Sequence, residues 1–143
     1  MSGDAETTGE ASGIFEVTVT PLEQSPGSEG AQPVSRFKLK KTFSGQLEGR
    51  GIGTMMSMGT PKLGNAAVYV ALDQFFGTLA GRRGGFVLVH RATMSKVGAT
   101  DLDIRIAIDS GTGELDGIAG SLAIDIRDGK HFYRLNYTLP AKG

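Results

Sequence analysis

Eight stretches of this chain read as β-strands, several alternating apolar and polar residues with a period of two, and none sustains the 3.6-residue spacing of an amphipathic helix. They are Ile14–Thr20, Arg36–Phe43, Gln46–Met58, Ala66–Phe76, Gly85–Ala92, Leu102–Ile108, Ile118–Arg127 and His131–Leu139. Short glycine-rich links join most of them, and glycine is used about twice as often as in an average protein, with 22 among 143 residues. So many short strands with such links predict an antiparallel sandwich or closed barrel. The length suits a single domain.

One turn sets a register. Arg127-Asp128-Gly129-Lys130 lies between two alternating runs, and Asp-Gly fits a two-residue type I′ turn, in which both central residues take positive φ. Ile126, Ile124, Leu122 and Gly120 then face His131, Tyr133, Leu135 and Tyr137, while Asp125, Ala123 and Ser121 face Phe132, Arg134 and Asn136. One face is apolar and the other largely polar, a match that a slip of one residue destroys.

Elsewhere the pattern is less regular. Phe15, Val17 and Val19 oppose Glu16, Thr18 and Thr20; Phe37, Leu39 and Phe43 oppose Lys38, Lys40 and Thr42. Lys41 falls on the apolar parity, which calls for a shift of register or a snorkelling stem. Residues 1–13 are small, polar and acidic without apolar periodicity, and read as a disordered tail ahead of one domain at 14–143. Residues 21–33, rich in Pro, Gly and Ser, read as a loop inserted outside the barrel.

Composition excludes several functions. Fifteen basic residues balance fifteen acidic ones, which argues against a nucleic-acid partner. There is no cysteine, hence no disulfide and no thiolate metal site, and His90 and His131 are the two histidines. No metal or cofactor is expected. No segment is a membrane helix, and the charged residues Lys38, Lys40, Asp103, Arg105 and Arg134 break any lipid-facing stripe of a membrane barrel. The N-terminus lacks the basic and apolar segments of a signal peptide, so the simplest reading is a cytoplasmic protein. The glycine-rich run from Gly111 fails the dinucleotide fingerprint at Asp116.

Gly-x-Leu-x-Gly occurs at Gly45–Gly49, Gly77–Gly81 and Gly113–Gly117. Glycines where strands bend, with a leucine between them aimed at the core, suit a coiled barrel wall. These motifs lie in Phe43-Ser-Gly-Gln-Leu-Glu-Gly49, Gly77-Thr-Leu-Ala-Gly-Arg82 and Ser110-Gly-Thr-Gly-Glu-Leu-Asp-Gly-Ile-Ala-Gly120. With Gly85-Phe-Val-Leu-Val-His90 and the closing Tyr133–Leu139, the chain from about 14 to 139 resembles a bacterial domain-of-unknown-function family, family 3224. The resemblance implies a closed eight-stranded antiparallel β-barrel of the allene oxide cyclase-like type. The 111–120 segment also resembles allene oxide cyclases and plant dirigent proteins, which guide reactive intermediates in an apolar cavity. No catalytic residue carries over from that likeness, so function has to be read from the site.

Parity places Phe37, Leu39, Phe86, Leu88, Leu122, Ile124, Tyr133, Leu135 and Tyr137 on the inner wall, with His90 in phase with Phe86 and Leu88. Such a lumen suits a small hydrophobic ligand with one or two hydrogen-bonding groups. Ligand contacts are expected from Phe37, Leu39, Phe86, Leu88, His90, Leu122, Tyr133 and Tyr137. His131, beside the hairpin tip, reads as a surface histidine. Three functions fit: a carrier or sensor, a cyclase or isomerase, and a structural barrel with a filled lumen. In the second, His90, Tyr133, Tyr137 or Glu48 supplies the acid or base. Residues 66–72 and 86–89 are apolar on both parities, so one parity is left outside; the expectation is a homodimer or higher oligomer, or a patch covered by the 21–33 loop.

Overall fold

The computed structural model describes residues 6–60, 66–97 and 100–141. They form nine strands: β1 (Thr7–Ser25), β2 (Val34–Gly45), β3 (Leu47–Gly59), β4 (Ala67–Leu79), β5 (Arg82–Met94), β6 (Thr100–Ile106), β7 (Thr112–Gly113), β8 (Ala119–Arg127) and β9 (Lys130–Leu139). Each long strand pairs antiparallel with its neighbours in the cyclic order β1-β2-β3-β4-β5-β6-β8-β9, and β9 returns to β1. The result is a closed eight-stranded antiparallel barrel, with β7 as a short extra strand on β5. No helix occurs among the described residues, and so none is long and apolar enough to cross a membrane.

The β8–β9 hairpin has the expected register. Ile124 pairs with Tyr133, Gly120 with Tyr137, and Asp128 and Gly129 at the tip have φ of 52° and 75°. The leucines of the repeated motif, Leu47, Leu79 and Leu115, are each fully buried.

Residues 7–13 are not a tail. They form the first part of β1 and pair with β9 from Thr7↔Leu139 to Gly13↔Tyr133. The alternation is present but is carried by small residues: Gly9, Ala11 and Gly13 are in phase with Phe15 and Val17. Ala11 is buried, and any Cβ at Gly9 or Gly13 meets the ring of Tyr137 or the hydroxyl of Tyr133. Small size, not hydrophobicity, makes this segment fit. Of the tail, residues 1–5 lie outside the described residues. The expected loop at 21–33 is also shorter, because β1 continues past a bulge at Pro21/Glu23 to Ser25.

One half of the lumen is filled. Phe75 stacks on Phe86 at 4.9 Å, Phe43 meets Phe75 and Tyr133 edge-on at 5.6 Å each, and Leu47, Leu79, Leu115, Ile118, Leu135 and Leu139 pack around them. Segment 107–118 seals this end against β5. Ser110 Oγ accepts from the Val87 amide at 3.0 Å, Thr112 Oγ1 from Gly85 at 3.0 Å, and Glu114 Oε1 from Arg83 at 3.1 Å.

Outside, the barrel is strongly apolar on one flank. Ile52 and Met56 of β3, Val70, Leu72 and Phe76 of β4 and Val89 of β5 are 39–60% exposed, and Leu22 joins the same groove. The far end of β1 therefore adds an apolar side chain to this face.

Candidate functional site

The other half of the lumen holds a cavity of about 360 Å³. Its wall is apolar, from Phe15, Val17, Val19, Leu39, Met55, Ala71, Leu102, Ile124 and Ile126, and is interrupted by Lys41, Tyr69, His90 and His131. A wider groove of about 800 Å³ alongside it shares Met55 and Tyr69, is also lined by Phe37, and has no charged side chain among the described residues.

Glycine creates the polar floor. The inward positions of β3 include Gly49, Gly51 and Gly53, so this strand presents bare backbone to the lumen. Lys41 of β2 and Asp73 of β4, each two strands from the other, reach across it and meet, Lys41 Nζ to Asp73 Oδ2 at 2.7 Å. Both are buried, 8% and 2% exposed at the side chain. Asp73 Oδ1 lies against Gly53, where a Cβ would collide with it, and is a buried oxygen without a hydrogen-bond partner. Register shift and snorkelling are both wrong for Lys41. It pairs in register with Val17 and Gly51 and points inward because an ion partner awaits it.

Next to this pair, His90 Nε2 lies 3.2 Å from Tyr69 Oη, with the rings tilted by 60°. Burial, followed by the Lys41 charge and opposed by Asp73, lowers the His90 pKa to about 4. The imidazole is therefore neutral at physiological pH. Burial raises the Tyr69 pKa, so the phenol keeps its proton. The site thus combines one ion pair of zero net charge with a neutral phenol–imidazole pair. No group of three His, Cys, Asp or Glu side chains among the described residues is placed to hold a metal ion.

Of the residues proposed from sequence, Leu39 and His90 line this cavity. Phe37 is half-buried at its edge, on the wider groove. Phe86, Leu88, Leu122, Tyr133 and Tyr137 face inward but belong to the packed core. Glu48 is exposed on the outside of β3 and is not part of the lumen. His131 is not a surface residue: it is half-buried, 5.0 Å from the Phe15 ring, on the cavity wall.

The histidine's partner is neither Tyr133 nor Tyr137. Tyr133 Oη accepts from the Leu47 amide at 2.9 Å and lies 2.9 Å and 2.8 Å from the Ser44 and Leu47 carbonyls, which share its single O–H donor. It pins the β2–β3 turn. Tyr133→Phe leaves the buried Leu47 amide unpaired and should cost about 1–3 kcal/mol, a Tm loss of about 4–10 °C by calorimetry. An unchanged Tm would show the hydroxyl to be dispensable.

Sequence reasoning missed Tyr69 and Asp73. Tyr69 lies in a run apolar on both faces, which hid its orientation. Asp73 did leave a signal: Ala71, Asp73 and Phe75 share one parity, so the chain carries two opposite charges, Lys41 and Asp73, at positions patterned for burial.

A model of the family described as "Protein of unknown function (DUF3224)" matches residues 11–137. The chain belongs to the DUF3224 family. A crystal structure of a DUF3224 protein of unknown function from Shewanella oneidensis MR-1 is similar to this barrel, with 38% identity and a TM-score of 0.85, covering 95% of this chain and all of the other. No curated protein matches the sequence. The DUF3224 barrel therefore comes with an architecture and without an assigned chemistry.

Proposed function

We propose that this protein binds a small, mostly apolar molecule in the lumen of its barrel. The supporting observation is the cavity of about 360 Å³, near the lower limit for small-molecule sites, with a part-buried phenol–imidazole pair on an apolar wall. A structural barrel would have its lumen filled throughout; in support of the binding reading, the core cluster borders the cavity at Phe15, Val17 and Ile124. The same pair supports a second reading, cyclase or isomerase chemistry, because a neutral histidine beside a protonated tyrosine is a base next to an acid.

The test is native mass spectrometry of the purified protein, followed by release and identification of any bound molecule. A carrier returns its ligand unchanged, and an isomerase returns product. His90→Ala should abolish the bound species while leaving the fold intact. If it instead lowers stability by about 1–3 kcal/mol and alters no binding, His90 is a core residue and the reading falls.

The apolar flank of β3–β5 supports self-association. A closed barrel offers no free strand edge, and so many half-exposed apolar side chains exceed what a monomer usually presents. A second copy of this chain, presenting the same face, is its proposed occupant. Sedimentation at tens of micromolar should show a species larger than 15.0 kDa; a lone monomer would remove the proposal.

A further inference from the structure

The polar groups of the lumen specify more than general apolar binding. Lys41 is the one charged residue lining the cavity among those described, and its ammonium has three N–H groups, of which one goes to Asp73. The Tyr69–His90 contact uses one donor, and in either tautomer one N–H or O–H of the pair is left over. The cavity floor is therefore rich in donors. It is also electrically balanced, because Asp73 sits directly behind the lysine charge at 2.7 Å and His90 is neutral.

We propose that the lumen takes an uncharged carbonyl compound whose oxygen accepts hydrogen bonds from the Lys41 ammonium and the Tyr69–His90 pair. A carboxylate would also find the ammonium, but it would surrender its hydration while Asp73 repels it from just behind. A hydrocarbon would leave the donors unanswered. A ketone or related carbonyl satisfies the donors and adds no charge. This inference rests on the lumen-binding reading above, and the experiment separates the two.

Three probes of one bicyclic shape serve: 1-tetralone, tetralin and 1,2,3,4-tetrahydro-1-naphthoate. Each is titrated by calorimetry at neutral pH, with the methyl resonances of Leu39 and Ile124 reporting whether it enters the lumen. The ketone should bind about tenfold or more tighter than either of the others. In Lys41→Met/Asp73→Leu, which removes the ion pair as a unit, the ketone should fall to within about threefold of tetralin, and tetralin should be unaffected. Tyr69→Phe, which keeps the ring, gives an independent arm: the ketone should weaken by about threefold or more. Carboxylate binding equal to or tighter than ketone binding would overturn the carbonyl assignment and leave the lumen as a site. So would a ketone preference that survives both variants. If none of the three probes perturbs the lumen methyls, lumen binding itself fails and the carbonyl assignment goes with it.

Discussion

Lys41→Met should destabilise the protein by about 3–5 kcal/mol, because it strands the Asp73 carboxylate in the interior. Asp73 is 1% exposed, and one of its oxygens already has no partner. Losing the 2.7 Å bond to Lys41 Nζ takes the other as well. In a domain of this size that corresponds to a Tm drop of about 10 °C or more. Lys41→Met/Asp73→Leu should recover most of the loss or exceed the wild type, since leucine branches at Cγ as aspartate does and brings no charge. Chemical denaturation of the four members of this cycle measures the coupling. Two additive single effects would mean that the pair does not act as a unit.

Acid should act through His90. Its pKa is about 4 in the folded protein, against 6.5 for an unperturbed histidine. Between these values the unfolded chain binds a proton that the native state refuses, so stability falls as pH falls. Above about pH 6.5 both states are neutral at this position and nothing is lost. By pH 4 the loss approaches about 3 kcal/mol, or about 10 °C in Tm. The groups facing the imidazole are Tyr69, Lys41 and Asp73. Carboxylates elsewhere also contribute to acid sensitivity, so the measurement is the difference between wild type and His90→Gln from pH 7 to 4. The variant's melting curve should be flatter by that amount. Parallel profiles would show that the histidine is not the group responsible.

The parts of the fold legible in the sequence were those written locally. Asp128-Gly129 fixed its own turn and, through strict alternation, the facing of every residue from Gly120 to Tyr137. Phe86, Leu88 and His90 declared a common inward face in the same way. The partnership within that face was not legible. His90 meets Tyr69 because β4 lies beside β5 with Ala71 opposite His90, and 66–72 carries apolar residues on both parities. Lys41 and Asp73 are 32 positions apart and meet because the intervening strand carries glycine at 51 and 53, with no side chain there to separate them. The start of β1, residues 7–13, was invisible for another reason, since its inward residues Gly9, Ala11 and Gly13 are small and hydrophobicity scales barely register them, whereas Ile14–Thr20 of the same strand was legible from its alternation. Tyr133 was placed correctly inside but given the wrong task, as nothing local announces that its hydroxyl reaches the backbone around Leu47, 86 residues earlier.

The seam between β1 and β9 has a kinetic consequence. It joins Thr7 to Leu139, so the cylinder closes through the pairing most distant in sequence among the described residues. Forming such contacts costs loop entropy before any favourable interaction offsets it, and proteins dominated by them fold in milliseconds to seconds. Before closure, β1 and β9 are open edges, able to pair with the same strand of another molecule. His131, on β9, reaches Phe15 on β1 only across this seam. The lumen cavity is therefore complete only once β9 has docked on β1.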